Sequence, residues 1–141
     1  MLTIDKASVV VDAAIAQARS QKCRPLSVVV LDPGGHVVCL KRDDGAAFLR
    51  SEIATAKAWG ALGLGSSSRR LGERFDARPG LLGALQAMSG GRIVPVAGGI
   101  LLGEDGVLVG AVGVSGASSD EDELCALTGI KAAGLEALDQ A

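Results

Sequence analysis

The stretch LSVVVLDPGGHVVCLKR, residues 26–42, predicts the first half of a β-sheet. Its opening run, LSVVVLD, is rich in β-branched and aliphatic residues on both faces, which is typical of a strand buried from both sides. The Asp-Pro-Gly-Gly sequence that follows favours a tight turn, so residues 36–42 should return as an antiparallel partner. The stretch therefore predicts a β-hairpin whose first strand is fully buried.

A second stretch, residues 98–116, repeats this pattern later in the chain. It consists of GGILLG, the turn residues Glu104-Asp105-Gly106, and then VLVGAVGVSG. Two apolar runs joined by a short glycine-containing turn again predict a hairpin. Seven glycines recur in this stretch, and bare backbone of this kind lets a helix or a flat ligand lie close to a sheet. The two hairpins together predict about four strands.

Helical patterns surround the hairpins. Thr3 can cap a helix that runs to about Gln21 with an apolar stripe at helical spacing. Residues 48–63, rich in alanine, and the short segment 81–88 are also expected to be helical. The polar residues 66–70 predict a break between those two helices.

A capping motif predicts the last helix. Ser118 or Ser119 is followed three residues later by Glu121 or Asp122, and this spacing opens a helix. The helix is expected to run nearly to the C-terminus, with four leucines on one face: Leu124, Leu127, Leu135 and Leu138. The resulting order of elements predicts an α+β fold, an antiparallel sheet of about four or five strands with helices packed on its faces.

Length and composition limit the classes of function. The chain has 141 residues, 48% of them hydrophobic and 2% aromatic, so we expect a single domain over residues 1–141 with an aliphatic core. A net charge of -2 and the scarcity of aromatic side chains argue against a nucleic-acid partner. The N-terminus MLTIDKASVV lacks the basic start of a signal peptide, and no segment has the ~20 apolar residues that cross a membrane. We therefore expect a cytoplasmic protein without a membrane partner.

Two common kinds of site are disfavoured by the residues present. A zinc site needs three or four nitrogen or sulfur ligands, whereas this chain offers one histidine and three scattered cysteines without a CxxC pair: Cys23, Cys39 and Cys125. A Ser-His-Asp hydrolase would be expected to show a GxSxG motif, and none is present.

His36, the only histidine, directly follows the first predicted turn. At the exposed mouth of a hairpin it can bind iron or another metal through a ring nitrogen, or it can be solvated or bonded to a nearby backbone carbonyl. Regular alternation along the strand would place every second residue on its face: Val38, Leu40 and Arg42.

Several cations lie near the ends of predicted strands and helices, and each could pair with an acidic group such as a propionate: Arg42, Arg50, Lys57 and Arg92. Lys57 differs from the others because it lies in ATAKAWG, among small apolar residues of a helix expected to pack on the sheet. An ammonium group in that setting needs a partner, or its pKa falls.

Several blocks together resemble a known family: VVVLDPGGHVVCLKRDDGA, SEIATAKA, GGRIVPVAGGILL and VLVGAVGVSGASSDEDE. They are similar to the GlcG/HbpS haem-binding family, which also includes the C-terminal domain of PduO-type corrinoid adenosyltransferases, and the resemblance covers roughly residues 2–138. It implies a profilin-like fold, assembly into dimers or higher oligomers, and haem or, as second candidate, a corrinoid as ligand. His36 occupies the GGH position of the family motif.

These observations support three hypotheses about function. The first is a self-associating small-molecule-binding protein for haem or a related tetrapyrrole or corrinoid, with His36 as metal ligand and Arg42 and Lys57 as partners of the ligand's propionates. The alternative is a cofactor-independent isomerase, lyase or hydrolase that acts on an acidic catabolic intermediate, with Lys57 or His36 as general acid or base. The third is an assembly module without a ligand of its own.

Overall fold

The computed structural model describes residues 1–139, and ten elements follow one another along this part of the chain. In chain order they are α1 (Ile4–Ser20), β1 (Ser27–Leu31), β2 (Val37–Arg42), α2 (Leu49–Leu64), α3 (Ser68–Phe75), α4 (Pro79–Met88), β3 (Gly99–Glu104), β4 (Val107–Ser115), α5 (Ser119–Ala132) and β5 (Glu136–Leu138). As predicted, Thr3 caps α1, since its side chain accepts a hydrogen bond from the backbone N–H of Lys6. Within residues 1–139, no helix combines the length and the apolarity needed to cross a membrane.

The strands form one antiparallel sheet in the order β2-β1-β4-β3-β5. Both predicted hairpins are present, because β1 pairs with β2 and β3 pairs with β4. The hairpins join through β1 and β4, whose pairing runs from Ser27 opposite Ser115 to Leu31 opposite Ala111. All residues of β1 are buried, as expected for a central strand. The predicted α+β fold is therefore confirmed.

The sheet separates two apolar cores, and the side chains of β1 alternate between them. Val28 and Val30 pack on the side covered by α1 and α5. Val29 and Leu31 pack on the opposite side, against α2. This period of two is what a strand buried on both faces requires.

Two glycines let α2 lie unusually close to the sheet. A Cβ atom built on Gly113 would lie 1.9 Å from the backbone oxygen of Ala54, and one built on Gly99 would lie 2.3 Å from that of Lys57. No side chain can be accommodated at such distances. Two of the seven glycines of the second hairpin therefore serve the close helix approach that their spacing indicated.

The expectation that the last helix runs nearly to the C-terminus is wrong. α5 opens with the predicted capping box, between Ser118 and Glu121, but it ends at Ala132. Gly134 then adopts a left-handed φ of +69°, which is a common way to end a helix. Two leucines assigned to the helix lie beyond it: Leu135 and Leu138. Leu138 belongs instead to β5, which pairs with β3 and gives the sheet its fifth strand.

The predicted break at residues 66–70 is also wrong in part, because α3 begins inside it. The side chain of Ser67 accepts a hydrogen bond from the backbone N–H of Arg70 and so caps this helix. Leu71 and Phe75 then bury the inner side of α3. The polar run is a helix cap followed by a short amphipathic helix.

Candidate functional site

His36 lies at the mouth of the first hairpin, beside the carboxylate of Asp32. The Oδ1 atom of Asp32 accepts hydrogen bonds from the backbone N–H groups of Gly34, at 2.9 Å, and of His36, at 3.0 Å. The bond from His36, and to a lesser extent that from Gly34, lowers the pKa of Asp32. The Nδ1 atom of His36 lies 3.3 Å from the same carboxylate oxygen, and its side chain is 80% exposed. The Nε2 atom is therefore left for a ligand outside the chain.

The side chains of β2 do not alternate regularly between the two faces of the sheet. The expectation that Val38, Leu40 and Arg42 share one face is therefore wrong. The pairing with β1 shifts between Val30 and Leu31, which makes Val38 the extra residue of a β-bulge. Val38 and Cys39 both pack against the core on the α1–α5 side. Leu40 lines a cavity beside α2. Val38 and Leu40 therefore lie on opposite faces of the sheet.

Trp59, the only tryptophan of the chain, lies between the turn and a cavity. A Cβ atom built on Gly35 would be 2.9 Å from Cδ1 of this indole, so the ring packs against the backbone next to His36. Trp59 also lines a cavity of 380 Å³ between β2 and α2. The other side chains of this lining combine apolar and polar groups: Leu40, Ser51, Glu52, Thr55, Ala56 and Arg92. An aromatic surface and a set of polar groups thus lie on one side of the turn.

Arg92 is held in place within this cavity. Its guanidinium carbon lies 4.0 Å from the centroid of the Trp59 ring, a cation–π contact. Its Nε–H donates a hydrogen bond of 2.7 Å to the backbone oxygen of Ser89. The stacking and this hydrogen bond restrict the guanidinium, which can receive a carboxylate beside the aromatic ring.

Lys57 is buried and has internal partners. Its Nζ atom donates hydrogen bonds to the backbone oxygen of Val114, at 2.9 Å, and to Oδ2 of Asp122, at 3.2 Å. The other carboxylate oxygen of Asp122 accepts a bond from the backbone N–H of Ala117. Burial lowers the pKa of Lys57, and the neighbouring Asp122 offsets part of that effect. The ion pair joins α2 to the start of α5 across the end of β4.

The three residues predicted to bind the ligand do not come together in the structure. His36 and Arg42 are exposed near opposite ends of β2, roughly 20 Å apart at the usual rise of a strand. Lys57 lies in the interior, 3% exposed, on α2. Their roles in binding stay predictions, and only His36 and Arg42 present their charged or basic groups to solvent.

Two residues of the site were not singled out from the sequence. Asp32 was taken only as a turn residue, although an aspartate before Pro-Gly-Gly commonly accepts backbone bonds two residues later. Trp59 was taken as part of an ordinary sheet-packed helix. Its rarity in a chain with 2% aromatic residues was the available signal, because tryptophan is enriched at sites of binding.

Comparison with known proteins gives consistent matches. Corrinoid adenosyltransferase PduO of Salmonella typhimurium is 32% identical over 120 residues, which are 85% of this chain and 35% of PduO. The chain thus spans about a third of the length of that relative. A crystal structure of a PduOC:heme complex superposes with a TM-score of 0.86 at 29% identity and covers 96% of each chain. HbpS of Streptomyces reticuli, solved as a double mutant, gives a TM-score of 0.81 at 30% identity over 92% of this chain and 85% of that chain.

A sequence model described as haem degrading protein HbpS-like matches residues 2–131. This range runs from the start of α1 almost to the end of α5 and contains both hairpins. It also contains the His36 turn, Trp59 and the Lys57–Asp122 pair. The resemblance found in the sequence blocks is therefore confirmed, and the chain belongs to the HbpS-like family.

Proposed function

We propose that this protein binds haem, in which His36 would supply a ligand to the iron. Membership of the HbpS-like family and the similarity to PduOC, a protein solved in complex with heme, support this function. The observation that carries the proposal is the geometry of the turn. Nδ1 of the imidazole lies 3.3 Å from Oδ1 of Asp32, and the side chain is 80% exposed, so Nε2 is accessible.

The residues that the structure describes suit a metal that is already bound in a macrocycle. Within residues 1–139, no group of three His, Cys, Asp or Glu side chains could hold a bare metal ion. Haem supplies a redox-active iron with its own four ring nitrogens, so the protein needs to contribute only one or two ligands. A carboxylate that bonds the other ring nitrogen fixes the tautomer and makes the imidazole a better donor. Asp32, whose Oδ1 lies 3.3 Å from Nδ1, would take this role.

Arg42 is the proposed partner of a haem propionate because it is an exposed cation on β2, the strand that follows His36. Lys57 was predicted for the same role, but its ammonium would have to leave Asp122 and the backbone oxygen of Val114 first. A contribution of Lys57 to binding would therefore act through the position of α2. Arg92, stacked on Trp59, is a second cation that an acidic ligand can reach.

We also propose that the protein self-associates. Haem bound to a histidine as exposed as His36 would leave much of the macrocycle in water, and covering apolar surface is favourable. A second copy of the chain can supply that cover without another component. The resemblance to the family implies the same behaviour.

Titration with haemin, followed by absorbance in the Soret region, tests the haem proposal. The wild type should give a saturable shift, and His36→Ala should weaken binding by at least roughly tenfold. Lys41→Ala is a matched control, since Lys41 is an exposed residue of β2 whose ammonium pairs with Asp12. Asp32→Asn should keep haem but raise its reduction potential, because the imidazole becomes a weaker donor.

The titration distinguishes failure of haem binding from failure of the role of His36. A wild-type protein without a saturable Soret shift would refute haem binding. A shift that His36→Ala leaves unchanged would show that another residue, or no residue of the chain, ligates the iron. Equal losses in His36→Ala and Lys41→Ala would indicate a general effect of the strand and would contradict the role of the imidazole.

A further inference from the structure

From the charges beside Trp59 we infer a second binding site, which takes a small apolar amino acid in its zwitterionic form. The site is the cavity of 380 Å³ between β2 and α2, near the lower end of the range for small-molecule pockets, about 300–1,000 Å³. A ligand of this class carries a carboxylate, an ammonium group and a hydrocarbon side chain. Each of these parts has a counterpart in the lining, and none of them requires haem.

Two side chains of opposite charge line the cavity without neutralising each other. They are Glu52 and Arg92, and among residues 1–139 neither forms a salt bridge. Nε of Arg92 bonds the Ser89 oxygen, while its terminal nitrogens have no hydrogen-bond partner within the same residues. A ligand that carries both opposite charges can satisfy the two side chains together, and hydrogen bonds between charged groups are the stronger kind.

The turn before Arg92 holds this cation in place. Gly91 adopts a left-handed φ of +80°, which glycine enters without a steric penalty. Its backbone N–H donates a hydrogen bond of 2.7 Å to the oxygen of Gln86. Nε2 of Gln86 in turn donates to the backbone oxygen of Ile93, at 3.1 Å. Arg92 therefore lies between two anchored neighbours, and a group held before the ligand arrives loses less conformational entropy on binding.

The first turns of α2 offer acceptors for an ammonium group. Glu52 and Thr55 are three residues apart, so they are neighbours on one face of the helix, and both line the cavity. The hydroxyl of Thr55 donates a hydrogen bond of 2.8 Å to the backbone oxygen of Ser51, which leaves the hydroxyl oxygen as an acceptor. An ammonium group has three donors and no acceptor. The ammonium end of the ligand therefore lies at α2, and the carboxylate end lies toward Arg92.

An apolar wall completes the lining and consists of Leu40, Ala56 and Trp59. Leu40 is 39% exposed, and a hydrocarbon side chain in the cavity would cover part of this surface, which is favourable. A carboxylic acid without an amino group would leave Glu52 without a partner, and an amine without a carboxylate would leave Arg92 without one. The site should therefore prefer the zwitterion to either of them.

Titration of the ligand-free protein with L-leucine tests the site. Trp59 is the only tryptophan and the chain has no tyrosine, so the emission of this one residue reports binding in the cavity. We expect a saturable change in emission and a matching heat in isothermal titration calorimetry. Isocaproate is leucine without the amino group, and isoamylamine is leucine without the carboxylate. Each should bind at least roughly tenfold more weakly than leucine.

Charge variants connect each end of the ligand to one residue. Glu52→Gln should weaken leucine binding by at least roughly tenfold and leave isocaproate binding nearly unchanged, so the preference for leucine is lost. Arg92→Gln should weaken leucine binding similarly and leave isoamylamine binding nearly unchanged. Glu73→Gln and Arg74→Gln are matched controls, because both residues are exposed on α3 and lie outside the lining of the cavity.

Three results would overturn the inference. The first is a wild type that binds none of L-valine, L-leucine and L-phenylalanine at about 10 mM. The second is isocaproate bound as tightly as leucine, which would show a carboxylate site without selectivity for zwitterions. The third is a loss in Glu52→Gln or Arg92→Gln that equals that of its α3 control or leaves the selectivity unchanged. Each result is independent of the haemin titration, so failure of this site is distinguishable from failure of haem binding.

Discussion

Replacing Lys57 by methionine tests how the buried ion pair holds the two helix layers together. The side chains of Lys57 and Asp122 are 4% and 3% exposed. Lys57→Met keeps most of the volume but leaves the carboxylate of Asp122 with only the backbone N–H of Ala117 as a partner. Removing one member of a buried pair typically costs about 3–5 kcal/mol, because the remaining charge is uncompensated.

This free energy corresponds to a large shift in thermal unfolding. For a chain of 141 residues the entropy of unfolding is about 0.3 kcal/mol/K, so a loss of about 4 kcal/mol lowers Tm by about 13 °C. Lys41→Met is the matched control. Lys41 pairs with Asp12 at 2.8 Å, but those side chains are 53% and 58% exposed, and such a pair contributes less than about 1 kcal/mol.

The pH dependence gives the prediction a second, independent part. Burial lowers the pKa of Lys57 from 10.5, so between that lowered pKa and 10.5 the folded protein has lost a proton that the unfolded chain still binds. Stability rises with pH wherever the unfolded state binds more protons. The stability of the wild type should therefore increase relative to Lys57→Met as the pH rises toward 10.5.

Urea unfolding near neutral pH and at several alkaline pH values measures both parts. The reasoning fails if Lys57→Met and Lys41→Met lose equal stability near neutral pH. It fails equally if the difference between the wild type and Lys57→Met narrows as the pH approaches 10.5, since this would mean that folding raises the pKa of the lysine.

Two further predictions concern the helices. Gly113→Ala should destabilise the protein by about 3 kcal/mol in urea unfolding, because the added methyl group meets the Ala54 oxygen at 1.9 Å. Gly83→Ala, at an open helix position, should instead stabilise the protein by up to about 1 kcal/mol. Equal changes in stability for the two variants would contradict the close approach of α2. Ser118→Ala should lower the free energy of unfolding by about 1 kcal/mol, because it removes the cap of α5. Ser118→Asn should keep most of that stability, since asparagine can also cap a helix. An unchanged urea midpoint for Ser118→Ala would refute the role of the cap.

The sequence was sufficient for the two hairpins because local chemistry determines them. Asp-Pro-Gly-Gly and Glu-Asp-Gly are turn sequences, and the flanking runs are strongly apolar. The cap at Thr3 and the box at Ser118 were equally local. Features of this kind depend on neighbours within a few residues, so one sequence contains the information needed to predict them.

The end of the last helix was predictable in principle but was missed. Leucines at helical spacing continue through Leu138, while Gly134, three residues after Lys131, interrupts the pattern. Glycine after a helix is a common terminator, and weighting it above the leucine spacing would have given the observed end at Ala132.

The candidate site depends on contacts between distant residues. Lys57 and Asp122 are 65 positions apart, and Trp59 meets Arg92 only because the segment after α4 returns to α2. The bulge at Val38 follows from a pairing shift that the alternation pattern does not show. The position of His36 at the turn was correct, but its relation to Trp59 required the structure.

The contact of α2 with Gly99 and Gly113 restricts how this protein can respond to a ligand. The carbonyl groups of the helix fit over bare backbone at two points on neighbouring strands, so sliding along the strands would force them against adjacent side chains. Helix and sheet must therefore move as a rigid unit. The two contacts oppose piston-like motion of α2 along the strands, so a displacement at the His36 turn or at Trp59 is expected to tilt helix and sheet together.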